Sequence, residues 1–161
     1  MITVIRKGTK EDLTRLRELI VELAIYEKEP NAVEVTLAEM EKDGFGDQKI
    51  FDFFVAEIDG VVEGIALYYF KYSTWKGKCV FLEDIVVNEK LRGNGIGKLL
   101  FDEVVKVAAA NNVKRMEWQV LEWNHPAIHF YKTKYKANLD PEWLNGRLVE
   151  KQILRIADAL K

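Results

Sequence analysis

One cysteine, Cys79, in 161 residues excludes an internal disulfide and leaves no thiolate cluster for a zinc site. It lies in an apolar run, the setting of a buried structural thiol rather than of a nucleophile. An excess of one charge is missing too. Lys and Arg number 24 against 26 Asp and Glu, net −2, so electrostatics gives no reason to expect nucleic acid or an anionic membrane as partner. No apolar stretch approaches the length of a membrane span. The opening Met1-Ile-Thr-Val-Ile-Arg6 lacks the charged and apolar regions of a signal peptide. These absences set the expectation of a soluble, cytoplasmic protein. The two histidines, His125 and His129, are spaced i, i+4 on a helix, but without a third ligand or a Glu-x-x-His context no metal is expected.

What is present suits one globular domain spanning residues 1–161, with 48% hydrophobic and 31% charged residues and no repeat, linker or low-complexity stretch. Ile2 to Arg6 reads as a strand. Thr9-Lys-Glu-Asp12 is a capping box, and Leu13, Leu16, Leu19, Ile20 and Leu23 follow at helical spacing to about Tyr26. A second box, Thr36-Leu-Ala-Glu39, opens a helix that stops at Gly44-Phe-Gly46. Phe51–Ile58 and Val61–Tyr72 flank Asp59-Gly60, a hairpin signal. Cys79 to Val87 is apolar almost throughout, as a central strand covered on both faces would be. A helix runs from Ile96 to the Asn111-Asn112 stop, Met116–Leu121 is a strand, Pro126 to about Lys134 a short helix, and Arg147–Leu154 a closing strand. The order predicts an α/β fold, a mixed and mostly antiparallel sheet with helices on both faces.

Between the central strand and the following helix lies Leu91-Arg-Gly-Asn-Gly-Ile-Gly97. Alternate glycines admit positive φ and let backbone N–H groups approach an anion at the positive end of a helix. Arg92 adds a fixed charge suited to phosphate oxygens. The spacing fails the dinucleotide fingerprint, since the third glycine comes one residue early. It also fails the P-loop, since Leu99 stands where Ser or Thr is needed.

The stretch resembles the Arg/Gln-x-x-Gly-x-Gly/Ala loop of the GNAT superfamily of N-acetyltransferases, which grips the pyrophosphate of acetyl-CoA. Tyr68-Tyr-Phe-Lys-Tyr-Ser-Thr-Trp-Lys-Gly77 with Phe81-Leu-Glu-Asp84, Trp123-Asn-His-Pro-Ala-Ile-His-Phe-Tyr131, Glu22-Leu-Ala-Ile-Tyr-Glu27 and Asp43-Gly-Phe-Gly46 narrow the resemblance to its spermidine/spermine (diamine) N-acetyltransferase branch. One departure stands out: Tyr135 occupies the place of a glycine four residues after the Phe-Tyr pair, and the segment 132–145 aligns poorly.

The resemblance implies an enzyme that moves acetyl from acetyl-CoA to a primary amine. Acetyl-CoA contacts would fall on Ile85, Val86, Val87, Arg92, Gly93, Asn94, Gly95, Ile96, Gly97, Lys98, Asn124, Pro126 and Tyr131. An ammonium must lose its proton before it attacks, and Glu83, in the central strand, is the candidate base. Strand alternation would turn Asp84 to the other face, as a supporting or lining residue. A bulge in this strand would free the Val86 or Val87 N–H for the developing oxyanion. Tyr131 is the implied acid for the leaving thiolate, and Asn124 a plausible helix N-cap.

Glu22 to Asp47 carries eight acids (Glu22, Glu27, Glu29, Glu34, Glu39, Glu41, Asp43, Asp47) against Lys28 and Lys42, a rim suited to a cationic substrate or simply a solvated face. By resemblance Tyr26 and Glu27 would meet the amine chain beside Glu83 and Asp84. A polyamine or diamine, a thialysine-like amino acid and a non-catalytic acyl-CoA-binding module all stay open. A homodimer is expected from the family and from the aromatic Tyr68–Trp75 segment.

Overall fold

The computed structural model describes all 161 residues and divides them into two compact units, Met1–Leu121 and Glu122–Lys161. The first holds a five-stranded sheet in the order β1 (Thr3–Lys7), β2 (Asp52–Ile58), β3 (Val61–Ser73), β4 (Gly77–Val87), β5 (Met116–Trp118). Neighbours are antiparallel except β4 and β5, which are parallel over Val80–Leu82. Helices α1 (Leu13–Tyr26) and α2 (Leu37–Phe45) cover one face and α3 (Ile96–Ala110) the other. The α/β expectation holds in this unit, with β4 in the covered position its apolar sequence predicts.

The α1 face is built by periodicity. Leu13, Leu16 and Leu19 project from one side of α1 onto Phe53, Val55, Ile65, Leu67 and Val86, with Met40 of α2 completing the cluster. Leu16 and Leu19 are fully buried, worth about 1.5–3 kcal/mol each. The start of α1 is fixed by Asp12, whose carboxylate accepts from the Thr9 N–H at 2.8 Å and from both guanidinium nitrogens of Arg6 on β1 at 2.7 and 3.0 Å. Asp12 is buried, and Arg6 holds its carboxyl below the usual carboxylate range. At the other end, Lys28 takes φ 65° and the Glu29 N–H turns back to the Ala24 carbonyl at 2.8 Å, so α1 stops at Tyr26 with Glu27 as its cap.

On the opposite face α3 approaches closely because Gly64 has no side chain. A Cβ there would lie 3.1 Å from Leu100 Cδ1 and 3.3 Å from the Val86 carbonyl oxygen. That contact brings the first turn of α3 beside the end of β4, where Gly97 lies near Val87.

The second unit holds α4 (His125–Tyr135) and α5 (Glu150–Ala159). The closing strand expected over Arg147–Leu154 does not form. From Glu150 the chain is helical, with the Gln152 side chain accepting from the Val149 N–H at 3.0 Å. The apolar positions Ile153, Ile156, Ala157 and Leu160 recur at i, i+3, i+4 and i+7, a helical period that outweighs the short apolar pairs Leu148-Val149 and Ile153-Leu154. Helix α4 ends at Lys136 in the left-handed conformation, φ 54°, one residue beyond Tyr135.

Candidate active site

Strand β4 carries one residue more than its partner. Leu67 of β3 lies opposite Asp84, while the next residue, Tyr68, lies opposite Leu82, so Glu83 is the extra residue of a β-bulge. The bulge overturns the expectation that Glu83 and Asp84 face opposite sides. Asp84 shares its side of β4 with Val86, in the α1 cluster. Glu83 reaches the same face, where its Oε2 accepts from the Tyr69 hydroxyl at 3.1 Å. Tyr69 in turn alternates with Ile65 and Leu67 of that cluster.

Glu27, at the end of α1, joins them. Burial, then the charges of Glu83 and Glu27, push the Asp84 carboxyl up to about 6, and burial also raises Glu27. The charges of Glu83 and Glu27 both act against the charged form of Asp84, an arrangement that would favour a cation. The rest of the acidic stretch is less uniform than its composition suggests. Glu22 pairs with Arg15, Glu41 with Lys10, and Glu39 closes the Thr36 capping box. Glu27 is the rim carboxylate whose charge acts on Asp84.

Beyond the bulge β4 has an open edge. Pairing with β5 stops at Leu82–Trp118, and no strand continues it. The Asn88 N–H donates to the Glu63 carbonyl on β3 at 2.8 Å, and Val86 lies opposite Ile65. Antiparallel pairs alternate, so the Val86 N–H is spent on β3, while those of Ile85 and Val87 face the open edge. Arg92 confirms the direction from outside, its Nε donating to the Val87 carbonyl at 3.1 Å. Of the two donors expected for an oxyanion, Val87 is therefore available and Val86 is not; Ile85 is the second.

The glycine loop lies directly after this edge. Gly93 and Gly95 have φ 81° and 79°, and no heavy atom lies within 4 Å of a Cβ built on either. Gly95 is the N-cap of α3 and adds no side chain, so the backbone N–H groups of the first turn line the positive end of the helix, where an anion is favoured. Asn94 braces the turn, its side-chain amide donating to the Leu91 carbonyl at 2.9 Å. A pyrophosphate fits this donor set. The Lys98 ammonium pairs with Asp102 at 2.6 Å, so its contribution to the cradle is its backbone N–H. The Arg92 guanidinium lies 4.9 Å over the ring of Tyr26, which links the loop to the residue before Glu27.

In the second unit Asn124 is the N-cap of α4, accepting from the Ala127 N–H at 3.4 Å, with Pro126 in the first turn. Tyr131 is buried, its ring packed edge-on against Phe130. Sequence reasoning missed Tyr69 as a site residue. Only the pairing of β3 with the bulged β4 brings its hydroxyl to Glu83, and nothing in the local pattern announces it. Tyr72 and Trp75, further along the same aromatic segment, are exposed.

The Asp84 shift has a measurable consequence. Its folded carboxyl lies above the ordinary value of 3.8, so its charge weakens the fold as pH rises from about 4 through about 6. Asp84→Asn should raise stability at pH 7.5 by on the order of 2 kcal/mol, and the advantage should vanish at pH 4. Urea unfolding at the two pH values measures this; an equal difference at both would contradict it.

Comparison with known proteins shows the family. The family model described as Acetyltransferase (GNAT) family matches residues 13–135. The chain is 38% identical over 137 residues to a thialysine N-epsilon-acetyltransferase of Bos taurus, covering 80% of this chain and 81% of the relative. It is 32% identical to spermidine/spermine N(1)-acetyltransferase-like protein 1 of Homo sapiens, covering 95% of this chain but 23% of that larger protein. In fold it resembles the aminoglycoside N-acetyltransferase AAC(6')-Iy in complex with CoA, with a TM-score of 0.72, 20% identity and coverage of 91% and 95%. A match over most of the chain, to a family of enzymes that take acetyl from acetyl-CoA, shows that this chain belongs to the GNAT family of N-acetyltransferases.

Proposed function

We propose that this N-acetyltransferase acts on a primary amine of a small cationic substrate, a polyamine or diamine, by direct transfer in the ternary complex. The observation that carries the reading is Glu83 and Asp84 side by side at the bulge of β4, with Glu27 at the end of α1 close enough for its charge to act on Asp84. A second charged amine lowers the cost of holding three carboxylates together, and a dication does so better than a monoamine. The sequence similarity to thialysine acetyltransferases favours a second reading, a lysine-like amino acid, whose own carboxylate would then have to be met by a cation. Arg92, whose guanidinium lies over the ring of Tyr26, is a candidate.

Acetyl-CoA supplies the thioester whose acetyl group is transferred. In the proposed mechanism the backbone N–H groups of the Gly93–Lys98 loop hold its pyrophosphate, and Asn124 and Pro126 line its pantetheine arm. Glu83 takes the proton from the ammonium, directly or through a water, while Asp84 and Glu27 hold the cation. The Val87 N–H bonds to the acetyl oxygen as it gains charge. As the amine nitrogen bonds to the acetyl carbon and the carbon–sulfur bond breaks, Tyr131 would give its own proton to the departing thiolate. A phenol near pKa ~10 donating to a thiolate near ~8.5 works uphill by about 2 kcal/mol, a gap that a hydrogen bond in the site can offset. A homodimer completes the reading, supported by the exposed apolar side chains Trp143, Leu144, Leu148 and Leu160 of the second unit.

Two experiments bear on this. Tyr131→Phe and Glu83→Gln should each lower kcat about a hundredfold or more with acetyl-CoA affinity unchanged, measured by steady-state acetyl transfer and calorimetry. Wild-type turnover in either would remove that residue from its role. For the substrate, kcat/KM with a polyamine should fall steeply as salt rises, because charges more than ~8 Å apart are screened at physiological ionic strength. Glu27→Gln should raise KM for a diamine while leaving that for acetyl-CoA in place. A salt-independent kcat/KM, with a thialysine-like amino acid turned over faster, would shift the assignment to the second reading.

A further inference from the structure

We infer that Tyr69 is a positioning residue for the acetyl-transfer reaction, its hydroxyl fixing the Glu83 carboxylate so that one oxygen stays free to accept the proton of the amine. The inference rests on Glu83 being the base. Its ground is the bulge itself. As the extra residue of β4, Glu83 has no residue opposite it on β3 to pack against, and its side chain is exposed. An exposed glutamate spreads over many rotamers, and ordering one costs conformational entropy. A base held only by solvent would spend little of its time aimed at a bound amine.

The contact that restrains it is the 3.1 Å hydrogen bond from Tyr69 Oη to Glu83 Oε2. Tyr69 itself is anchored. It pairs with Phe81 across β3 and β4, with ring centroids 5.4 Å apart. The Lys71 ammonium lies 5.3 Å over Phe81 and is tied at 2.6 Å to Glu117 of β5. The ring is therefore set by the sheet, and its hydroxyl is a fixed point against which a mobile carboxylate can be held.

The donor also holds its proton. Burial, then the charge of Glu83, raise the Tyr69 phenol to about 12, so it donates across the whole working range of an acetyltransferase. The titratable groups beside Glu83 are Asp84 on β4 and the protonated Tyr69 phenol from β3, with Glu27 at the end of α1 acting on Asp84. The phenol donates its hydrogen bond to the Glu83 carboxylate. By occupying Oε2 the phenol leaves Oε1 as the acceptor, which fixes the direction of proton transfer as well as the position of the base. No proton leaves Tyr69 in this scheme.

Tyr69→Phe tests the idea because it keeps the ring and its packing on Phe81 and removes one oxygen. It should lower kcat about tenfold and move the acidic limb of the kcat profile up by about half a pH unit or more, with KM for acetyl-CoA within twofold. Fluorinated tyrosine at position 69, a more acidic donor, should move the limb the other way. Glu83→Gln is measured in parallel and in combination. If Tyr69 acts through Glu83, adding Tyr69→Phe to Glu83→Gln should cost little more than Glu83→Gln alone. An inactive Glu83→Gln beside a Tyr69→Phe enzyme with wild-type kcat and pH profile would overturn the positioning role and leave the base assignment standing. A fully active Glu83→Gln would overturn the base assignment, and this inference with it.

Discussion

The structure depends on one inserted residue. Between Leu82 and Asp84 the central strand holds Glu83, while β3 passes from Tyr68 to Leu67 with nothing between them. Without that bulge, alternation would send one of the two acids to the α3 face, and neither a shared carboxylate face nor the Tyr69 contact would exist. The parting of β4 from β5 comes at the same point, after Leu82. From there on β4 is a strand with one satisfied edge and one open edge. An open edge in the middle of a sheet is normally a liability. Here it is short, it ends in the glycine loop, and it presents two aligned N–H groups at Ile85 and Val87.

The charge arrangement follows from the same geometry. Burying carboxylates near one another is unfavourable, and burial with the neighbouring charges raises the Asp84 carboxyl accordingly. The rest of the molecule supplies the stability to hold it: the Leu16 and Leu19 core, the Arg6–Asp12 pair that sets the start of α1, and the left-handed Lys28 that ends α1 at Glu27. Arg92 ties the two halves of the site together, bonded to the Val87 carbonyl on one side and stacked on Tyr26 on the other. A ligand at the glycine loop is thus one contact away from the residues proposed to hold the amine.

Much of this is legible in the chain because its signals are local. The Thr36 capping box, the Asp59-Gly60 hairpin, the apolar period of α1 and α3 and the glycine loop each follow from a few adjacent residues, and each forms where expected. What the sequence hides is non-local. A bulge has no signature of its own in Phe-Leu-Glu-Asp-Ile; it emerges from the register of two strands, and it reverses the facing of Asp84. Tyr69 is invisible for the same reason. The C-terminal segment misleads differently: Leu148-Val149 and Ile153-Leu154 look like strand residues, yet the helical period of 153–160 and the strong helix formers around it prevail. The family relation was readable from ordered segments, and the match over residues 13–135 bears it out.

The bulge leaves Ile85 and Val87 with N–H groups aimed at an open edge, where the acetyl-CoA arm would lie in the proposed mechanism. Amide hydrogen exchange, read residue by residue by NMR, tests it most directly. In the free enzyme the Val86 and Asn88 amides should be protected and those of Ile85 and Val87 should exchange far faster, with both becoming protected when acetyl-CoA is added. Equal protection of all four in the free enzyme, or no change at Val87 on adding acetyl-CoA, would contradict the account.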